Sequence, residues 1–528
     1  MTGDRGTGVH DLRAHVRTLD DRGLLLTVDR AINKDTEMHP LVRWQYRGGI
    51  DEGRRKAFLF TNVVDARGTH YPNAVLVGGL AATPQVYALG LGVPVAGVGA
   101  AWERALAHPV EPIMTTGAPV HEVVHHPVGA SAGFGTMPIP VSTPGFDNAP
   151  YLTSAHVVSK DPSTGVRNLG HYRAQVKSPT TCGVFFTGKE KHGYRHWDAA
   201  RGLGRPLEVA FVIGAPPAVS YAAVAQVPYG TDEYGVAGGL AQAPVPLVKC
   251  LTVDLEVPAQ AELVIEGLLR TGHVEPEGPF GESHGYLHPR SMSPLFEMTA
   301  VTHRRDYLWT SFISQVTPSE SSVIKKVSLE PMLTSFLRDT LGLTCVRDVV
   351  LHEPLTNLRK VVFVQFDRAP QSEVWRALKG VAAYRGEIGK IVIGVDSDID
   401  PRNPDAIWWA IAYRCRPHLD VQTLRGQAKG HAPPFGEETW SEDSNLFINA
   451  TLKDATPPIS LPGRSFMERA KQIWEELGLP ELRPEQPWHG YVLTPGEWPA
   501  ELAAEAELAV QGRHYETGSK LGARAEPA

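Results

Sequence analysis

Residues 360–414 read KVVFVQFDRAPQSEVWRALKGVAAYRGEIGKIVIGVDSDIDPRNPDAIWWAIAYR, and the fold class follows from them. Lys360–Phe366 and Ile391–Asp396 are short apolar, β-branched runs, the composition of strands. Each precedes a stretch patterned as a helix, Ser372–Tyr384 and Asp405–Arg414. Strand and helix in alternation predict a separate α/β domain, which we place at residues 316–500. Beyond it, Ser465 and Glu468 have the spacing of a capping box. The predicted helix carries Phe466, Met467, Ala470, Ile473, Trp474 and Leu477 and stops at Gly478. Residues 501–528 form a C-terminal tail whose last dozen or so, the small and polar ETGSKLGARAEPA, read as loose.

Towards the N-terminus the pattern changes. Residues 121–315 contain the runs Leu207–Ile213, Ala218–Gln226, Leu247–Val257 and Glu262–Leu269, which read as strands of a barrel. Residues 1–120 open on a helix with Leu12, Val16 and Leu19 on one face, a stop at Gly23 and a strand at Leu24–Asp29. Strands at Phe58–Asp65 and Ala74–Leu80 extend this α/β beginning. A His-, Pro- and Gly-rich stretch between Pro109 and Pro150 holds the first boundary. The whole is a multidomain chain of mixed α/β and α+β class.

A chain of 528 residues can bury several cores. Its 51 Lys and Arg against 58 Asp and Glu, with no basic run, argue against nucleic acid as a partner. Cys182, Cys250, Cys345 and Cys415 form no C-x-x-C pair, so neither a structural zinc site nor a disulfide framework is expected. The N-terminal MTGDRGTGVHDLRAHVR lacks an apolar signal core. The most apolar stretch, Leu89–Trp102, is interrupted by Pro94 and four glycines. A cytoplasmic protein without a membrane span is the expectation.

Several motifs carry chemistry. Gly129-Ala130-Ser131-Ala132-Gly133 satisfies the G-x-S-x-G elbow of serine hydrolases, but the prolines of the following FGTMPIPVSTP oppose the helix an elbow needs. In His192-Gly193-Tyr194-Arg195-His196 the histidines would share a helical face, without the glutamate of H-E-x-x-H. In the Pro/Gly-rich EPEGPFGE, Glu277 and Glu282 flank Phe280; an apolar neighbour would raise a glutamate pKa and let it donate a proton. Arg167–Arg173, RNLGHYR, joins an amide oxygen suited to a hard cation with a guanidinium suited to a carboxylate or phosphate.

Taken in order, NLGHYR at Asn168–Arg173, the histidine segment at His192, DEYGVAGGL around Glu233, EGPFGE at Glu277–Glu282 and KIVIGVDSDID at Lys390–Asp400 resemble the UbiD family of decarboxylases, ferulic acid decarboxylases among them. The resemblance spans residues 10–480. It implies a central split β-barrel related to flavin-binding folds, flanked by N-terminal and C-terminal α/β domains, the latter able to hinge and to form a homodimer. It implies prenylated FMN as cofactor, supplied by a flavin prenyltransferase. Asn168, His192 and Glu233 would hold a manganese-like divalent ion, with potassium near Glu233 and the carbonyls of residues 222–225. Leu169, Gly170, His171, Tyr172, Arg173, Lys191 and His192 would line the flavin, and Lys390 would reach its ring carbonyl. Ferulic acid decarboxylases tend to have glutamine where this chain has Lys191, which weakens any carry-over of cinnamate-like substrate preference.

The implied reaction is reversible, non-oxidative decarboxylation of an α,β-unsaturated or aromatic acid. Carbon dioxide leaving an sp² carbon strands an electron pair that side chains alone cannot delocalise, so an electron sink is required. Arg173, Glu277 and Glu282 would form the catalytic network, with Glu282 the proton donor and its pKa raised by burial and by the second carboxylate. The pocket would draw on Ser154, Phe185, Val323 and residues 435–447, including Trp440. A natural-product tailoring step fits the Ala-, Gly- and Pro-rich composition. Carboxylation as the cellular direction and a non-catalytic flavin- or metal-binding scaffold are the competing readings; a serine hydrolase at Ser131 is the outsider.

Overall fold

The structure is a computed structural model that describes residues 11–126, 132–225, 227–427, 443–454, 457, 460–482 and 498–521. The first helix forms as its pattern predicts, over Leu12–Asp21, with Leu12 and Leu19 buried and the Asp11 carboxylate accepting from the Arg13 N–H at 2.6 Å. Gly23 follows at φ +67°, a left-handed conformation that costs glycine little. The chain then enters a four-stranded sheet ordered Leu25–Val28, Ala57–Phe60, Val75–Val77 and Trp309–Ser311. Its last strand comes from residues that sequence position places with the central segment; it runs parallel to Val75–Val77. The N-terminal layer is therefore closed by chain that has already passed through the middle of the protein.

The central sheet has nine strands. Its path runs from Arg167–His171 through His156–Lys160, Leu207–Ile213, Leu263–Glu277, Ser291–His303, Thr181–Val184 and Ala174–Val176 to Tyr151–Leu152, with Val123–His125 paired to Ser291–His303 off the path. The strand at one end, Arg167–His171, and the next-to-last strand at the other, Ala174–Val176, are consecutive in sequence, joined by Tyr172 and Arg173 alone. Three residue steps reach at most about 11 Å. The sheet must therefore curl until its two ends nearly meet, giving a half-barrel whose seam is Tyr172-Arg173.

The C-terminal domain has a five-stranded sheet, ordered Val346–Leu351, Val361–Phe366, Ile391–Asp396, Asp443–Asn449 and Val421–Gln427. The three middle strands are parallel. Strand periodicity sorts its core: Val362, Val364 and Phe366 pack with Val374, Ala377 and Leu378 of the helix Gln371–Tyr384, while Phe363 packs with Ala406, Ile407 and Ala410 of the helix Pro404–Arg414. The helix Glu320–Ser335 joins this domain to the rest. Ser319 and Ser322 form a capping box at its start, and the buried Glu320 carboxylate accepts from the N–H groups of Gly78 at 2.9 Å and Leu80 at 3.1 Å. Its far end, through Leu329 and Leu333, enters the C-terminal core.

Four local expectations are corrected. Ala218–Gln226 is no strand: Pro217–Val224 is a helix buried all round, so its apolar run carries no amphipathic period, and Gln226 lies outside the described residues. Leu247–Val257 is two antiparallel strands, Pro246–Lys249 and Glu256–Pro258. The chain turns between them because the buried Glu266 carboxylate accepts from Leu251 and Thr252 N–H, at 2.9 and 2.7 Å. The helix Arg464–Glu476 forms, but Gly463 is its N-cap and no side chain caps it, so Ser465 is already within the first turn. Of the stretch read as loose, Glu516–Lys520 belong to the helix His514–Lys520, which follows a helix over Ala500–Val510, and residues 522–528 lie outside the described residues. Ser131 lies outside the described residues. Among those described, no single helix is long and apolar enough to cross a membrane; the bent pair Pro84–Gly90 and Val95–Ala107 buries Tyr87 and Trp102 completely.

Candidate active site

The sheet's closure places Arg173 at the seam, opposite the tip of the long hairpin Leu263–Glu277/Ser291–His303. Glu277 is the last residue of the first hairpin strand, and Glu282 follows Phe280–Gly281. Arg173 grips Glu277 in bidentate fashion, Nε to Oε1 at 3.0 Å and Nη2 to Oε2 at 3.1 Å, and its Nη1 donates to Glu282. Both carboxylates are thus held on one guanidinium, using three of its five N–H donors. The guanidinium lies between the rings of Phe185 and Phe280, 4.0 and 4.8 Å from their centroids. Burial alone pushes Arg173 down, but Glu282 and Glu277 more than reverse this and hold it raised. The three residues singled out as the catalytic network form one cluster, with Glu277 fully buried and Arg173 and Glu282 partly so.

Tyr151, which sequence reading missed, completes it. Its ring packs against Phe280 with centroids 4.3 Å apart, and its hydroxyl donates to the Pro279 carbonyl at 3.4 Å. Burial, with the Glu277 charge, pushes its pKa up. Nothing in the local sequence marks this tyrosine, because only tertiary closure brings it to the hairpin tip. The hairpin loop is tied down by the Val316 N–H donating to the Glu282 carbonyl at 3.1 Å.

His192 and Glu233 also come together, beside the strand that carries Asn168. The Leu169 N–H donates to Glu233 Oε2 at 3.0 Å, and Glu233 Oε1 stands 4.0 Å from His192 Nδ1. His192 and Glu233 are each the first residue of a helix, His192–Gly202 and Glu233–Ala241, so two helix N-termini meet here, a setting that favours anions. Gly193 is needed at this start, since a Cβ would lie 2.8 Å from the Tyr172 ring, whose hydroxyl accepts from the Gly193 N–H at 3.0 Å. Burial raises Glu233 to about 7, and burial with Arg195 and Lys191 lowers His192, keeping its imidazole neutral. The buried Asn168 amide has a nitrogen without a hydrogen-bond partner. A buried carboxylate short of compensation and a neutral imidazole are donor types that a borderline divalent cation accepts. Among the described residues no three His, Cys, Asp or Glu side chains cluster to hold a metal.

The remaining expected residues divide. His171 is neutral, pushed down to about 4 by burial and Lys325, and stacks on Phe312 with centroids 5.4 Å apart. Gly170 packs under Tyr172, where a Cβ would lie 2.6 Å from the ring. Lys191 is the N-cap of the helix that opens with His192. Lys390 is held elsewhere, its Nζ 2.8 and 2.9 Å from the Asp443 carboxylate on the C-terminal sheet. Phe185 lies on Arg173, and Val323 is buried in the helix Glu320–Ser335. The Ser154 hydroxyl is taken up by Thr310, and residues 435–442, with Trp440, lie outside the described residues. Two cavities of about 210 and 220 Å³, one beside Lys34, Tyr71 and Phe134 and one beside Val219, Ala241 and Pro244, contain none of these groups.

Comparison with known proteins places this geometry. Residues 113–316 match the 3-octaprenyl-4-hydroxybenzoate carboxy-lyase Rift-related domain, and residues 322–450 match the C-terminal domain of the same enzymes. An uncharacterized protein of Synechocystis sp. is 31% identical over 375 residues, 69% of this chain and 72% of the relative. An evolved dimeric form of the UbiD-class enzyme HmfF from Pelotomaculum thermopropionicum, in complex with prFMN, superposes with a TM-score of 0.75 at 30% identity, over 88% of this chain and all of that one. Apo 3,4-dihydroxybenzoic acid decarboxylase from Klebsiella pneumoniae shares the fold, with a TM-score of 0.74 at 22% identity over 87% of this chain and 99% of that one. With both domains matched and the seam, the hairpin carboxylates and the convergent helix starts in place, the chain belongs to the UbiD family of carboxy-lyases.

Proposed function

We propose that the protein removes a carboxylate, reversibly and without oxidation, from an aromatic or α,β-unsaturated acid, using prenylated FMN held through a divalent ion. The observation that carries this reading is the single guanidinium that holds both Glu277 and Glu282 at the seam of the curled sheet. In this reading the half-barrel is the split barrel of a flavin-binding domain. Asn168, His192 and Glu233 hold a manganese-class ion, and the two helix N-termini beside them favour the cofactor phosphate. A potassium ion would sit by Glu233 and the carbonyls at the end of the helix Pro217–Val224, the negative end of its dipole. The bound cofactor supplies the electron sink that decarboxylation at an sp² carbon requires.

The chain's own residues do the rest. Arg173 has two N–H donors left to orient a substrate carboxylate. Phe185 and Phe280 keep water from its faces. Glu277, fully buried, fixes the guanidinium plane. Glu282 gives its proton to the carbon that has lost carbon dioxide, and in the reverse direction takes one from it. Lys390 would approach the flavin by movement of the C-terminal domain. That domain also leaves Phe466 and Leu477 of its helix exposed at 52% and 68%, a face for a second copy of the chain.

Mass and visible spectra of protein produced with and without a flavin prenyltransferase test the reading. A bound flavin heavier than FMN, seen only on co-production, is expected. Bound metal with no flavin under either condition overturns it and favours the scaffold.

A further inference from the structure

The segments that carry Asn168, His192 and Glu233 are joined by one further side chain, that of Tyr229. Residues 227–231 run straight into Asp232 and the helix Glu233–Ala241. The Tyr229 hydroxyl donates to Asp161 Oδ2 at 2.6 Å. Asp161 lies in the turn between the strands His156–Lys160 and Arg167–His171, the second of which holds Asn168. Its other oxygen accepts from the Ser163 and Thr164 N–H groups at 2.8 and 3.1 Å, so the turn fixes this carboxylate independently of the tyrosine.

The ring of Tyr229 lies on the start of the helix His192–Gly202. His192, Arg195 and His196 share one face of that helix, a turn apart. The tyrosine ring stands nearly perpendicular to both imidazoles, with centroids 5.0 Å from His192 and 6.0 Å from His196, and the Arg195 guanidinium is 5.3 Å from its centre. His196 is itself anchored: it is fully buried, and its Nδ1 is 2.9 Å from the hydroxyl of Ser159, the cross-strand partner of Asn168. The helix face under the ring is therefore fixed, and the ring is the outermost part of the arrangement.

Exposure rises outward along this line, from 5% for the Glu233 side chain through 21% for His192 to 39% for Tyr229. The way from the buried carboxylate to solvent thus leads past His192 and under the tyrosine. A hydrogen bond and ring contacts open to water are each weak, so this cover can lift while the strands behind it stay paired. We propose that Tyr229 is a positioning residue that latches this side of the site shut through its bond to Asp161, so that the divalent ion and the cofactor phosphate enter and leave past it. This rests on the cofactor reading and deepens it. Because the latch is closed without a ligand, it opposes entry as well as exit, and its removal changes rates more than affinity.

The probes are manganese and FMN, with the parent protein, Tyr229→Phe, Asp161→Ala and the double variant. Uptake is followed by the quenching of FMN fluorescence, and loss by its recovery, together with metal analysis, after dilution into excess chelator. Tyr229→Phe keeps the ring and removes only the hydroxyl, so uptake and loss should both quicken by about fivefold, the factor one such hydrogen bond contributes. The dissociation constant should stay within about twofold of the parent's. In the Asp161→Ala background Tyr229→Phe should add nothing, because the bond is already gone. Rates equal to the parent's, a faster loss matched by an equal fall in affinity, as a contact made only to the ligand would give, or a Tyr229→Phe effect undiminished in Asp161→Ala overturns the proposal. A parent protein that takes up neither manganese nor FMN overturns the cofactor reading, and the proposal with it.

Discussion

Arg173 and Lys325, two inward-turned cations, are built on opposite principles. At Arg173 the account is closed: one guanidinium meets two carboxylates, aromatic rings lie against it, Glu277 is fully buried, and the Arg173 and Glu282 side chains are only 10% and 12% exposed. At Lys325 it is open, a cation turned inward whose neighbouring acids are engaged elsewhere. A closed cluster is preorganised and has little need to move when substrate arrives. An open one stores unfavourable charge. The contrast makes the first the candidate for chemistry and the second a source of pH-dependent stability.

The largest expected effect is on turnover. Glu282→Gln keeps the shape of the closed cluster and removes its proton, so carbon dioxide release should fall by about 10²–10⁴-fold, with bound flavin unchanged in the visible spectrum. Near-normal turnover would take the donor role from Glu282. Next is stability. Arg173→Met leaves Glu277, 0% exposed, as a buried charge with no partner and should cost about 3–5 kcal/mol in denaturant unfolding. If the loss were under about 1 kcal/mol, the cluster would not be closed in the sense argued here.

The open cluster should respond with the opposite sign. Lys325 falls from 10.5 to about 8 in the folded protein. Between those values the unfolded chain binds more protons than the folded one, so stability rises with pH across the window, and below about pH 8 the buried charge is a full cost. Lys325→Met should therefore stabilise the ligand-free protein by about 1–2 kcal/mol at pH 7, discounted for its residual exposure, and the gain should vanish by pH 10.5. Thermal unfolding of both proteins from pH 7 to 10.5 measures this. A destabilised variant at pH 7 would mean that the lysine is already satisfied.

Much of this was legible in the sequence, and the reason differs by region. The strands and helices of residues 360–414 alternate with clear period, and the structure keeps them within a residue or two. Arg173, Glu277 and Glu282 stood in motifs whose composition announces chemistry. Pro217–Val224 was misread because a helix buried all round shows no face. Trp309–Ser311 was misplaced because chain order cannot show that the N-terminal sheet is completed late. Lys325 was missed because the signal is tertiary: KK in a helix reads as surface until Ser321 and Leu329, four residues either side, are seen to be buried.

Lys390 gives the smallest effect and the finest discrimination. Its pairing with Asp443 is partly exposed, 34% and 11% by side chain, so Lys390→Ala should cost less than about 1 kcal/mol of stability. The resemblance nevertheless gives it a cofactor contact, which the present arrangement reaches only if the C-terminal domain moves and the ion pair opens. The two roles separate cleanly. If Lys390 serves the flavin, the variant should fold as the parent does but lose flavin faster on dialysis. If it serves only the C-terminal sheet, Asp443→Asn and Lys390→Ala should both retain flavin as the parent does.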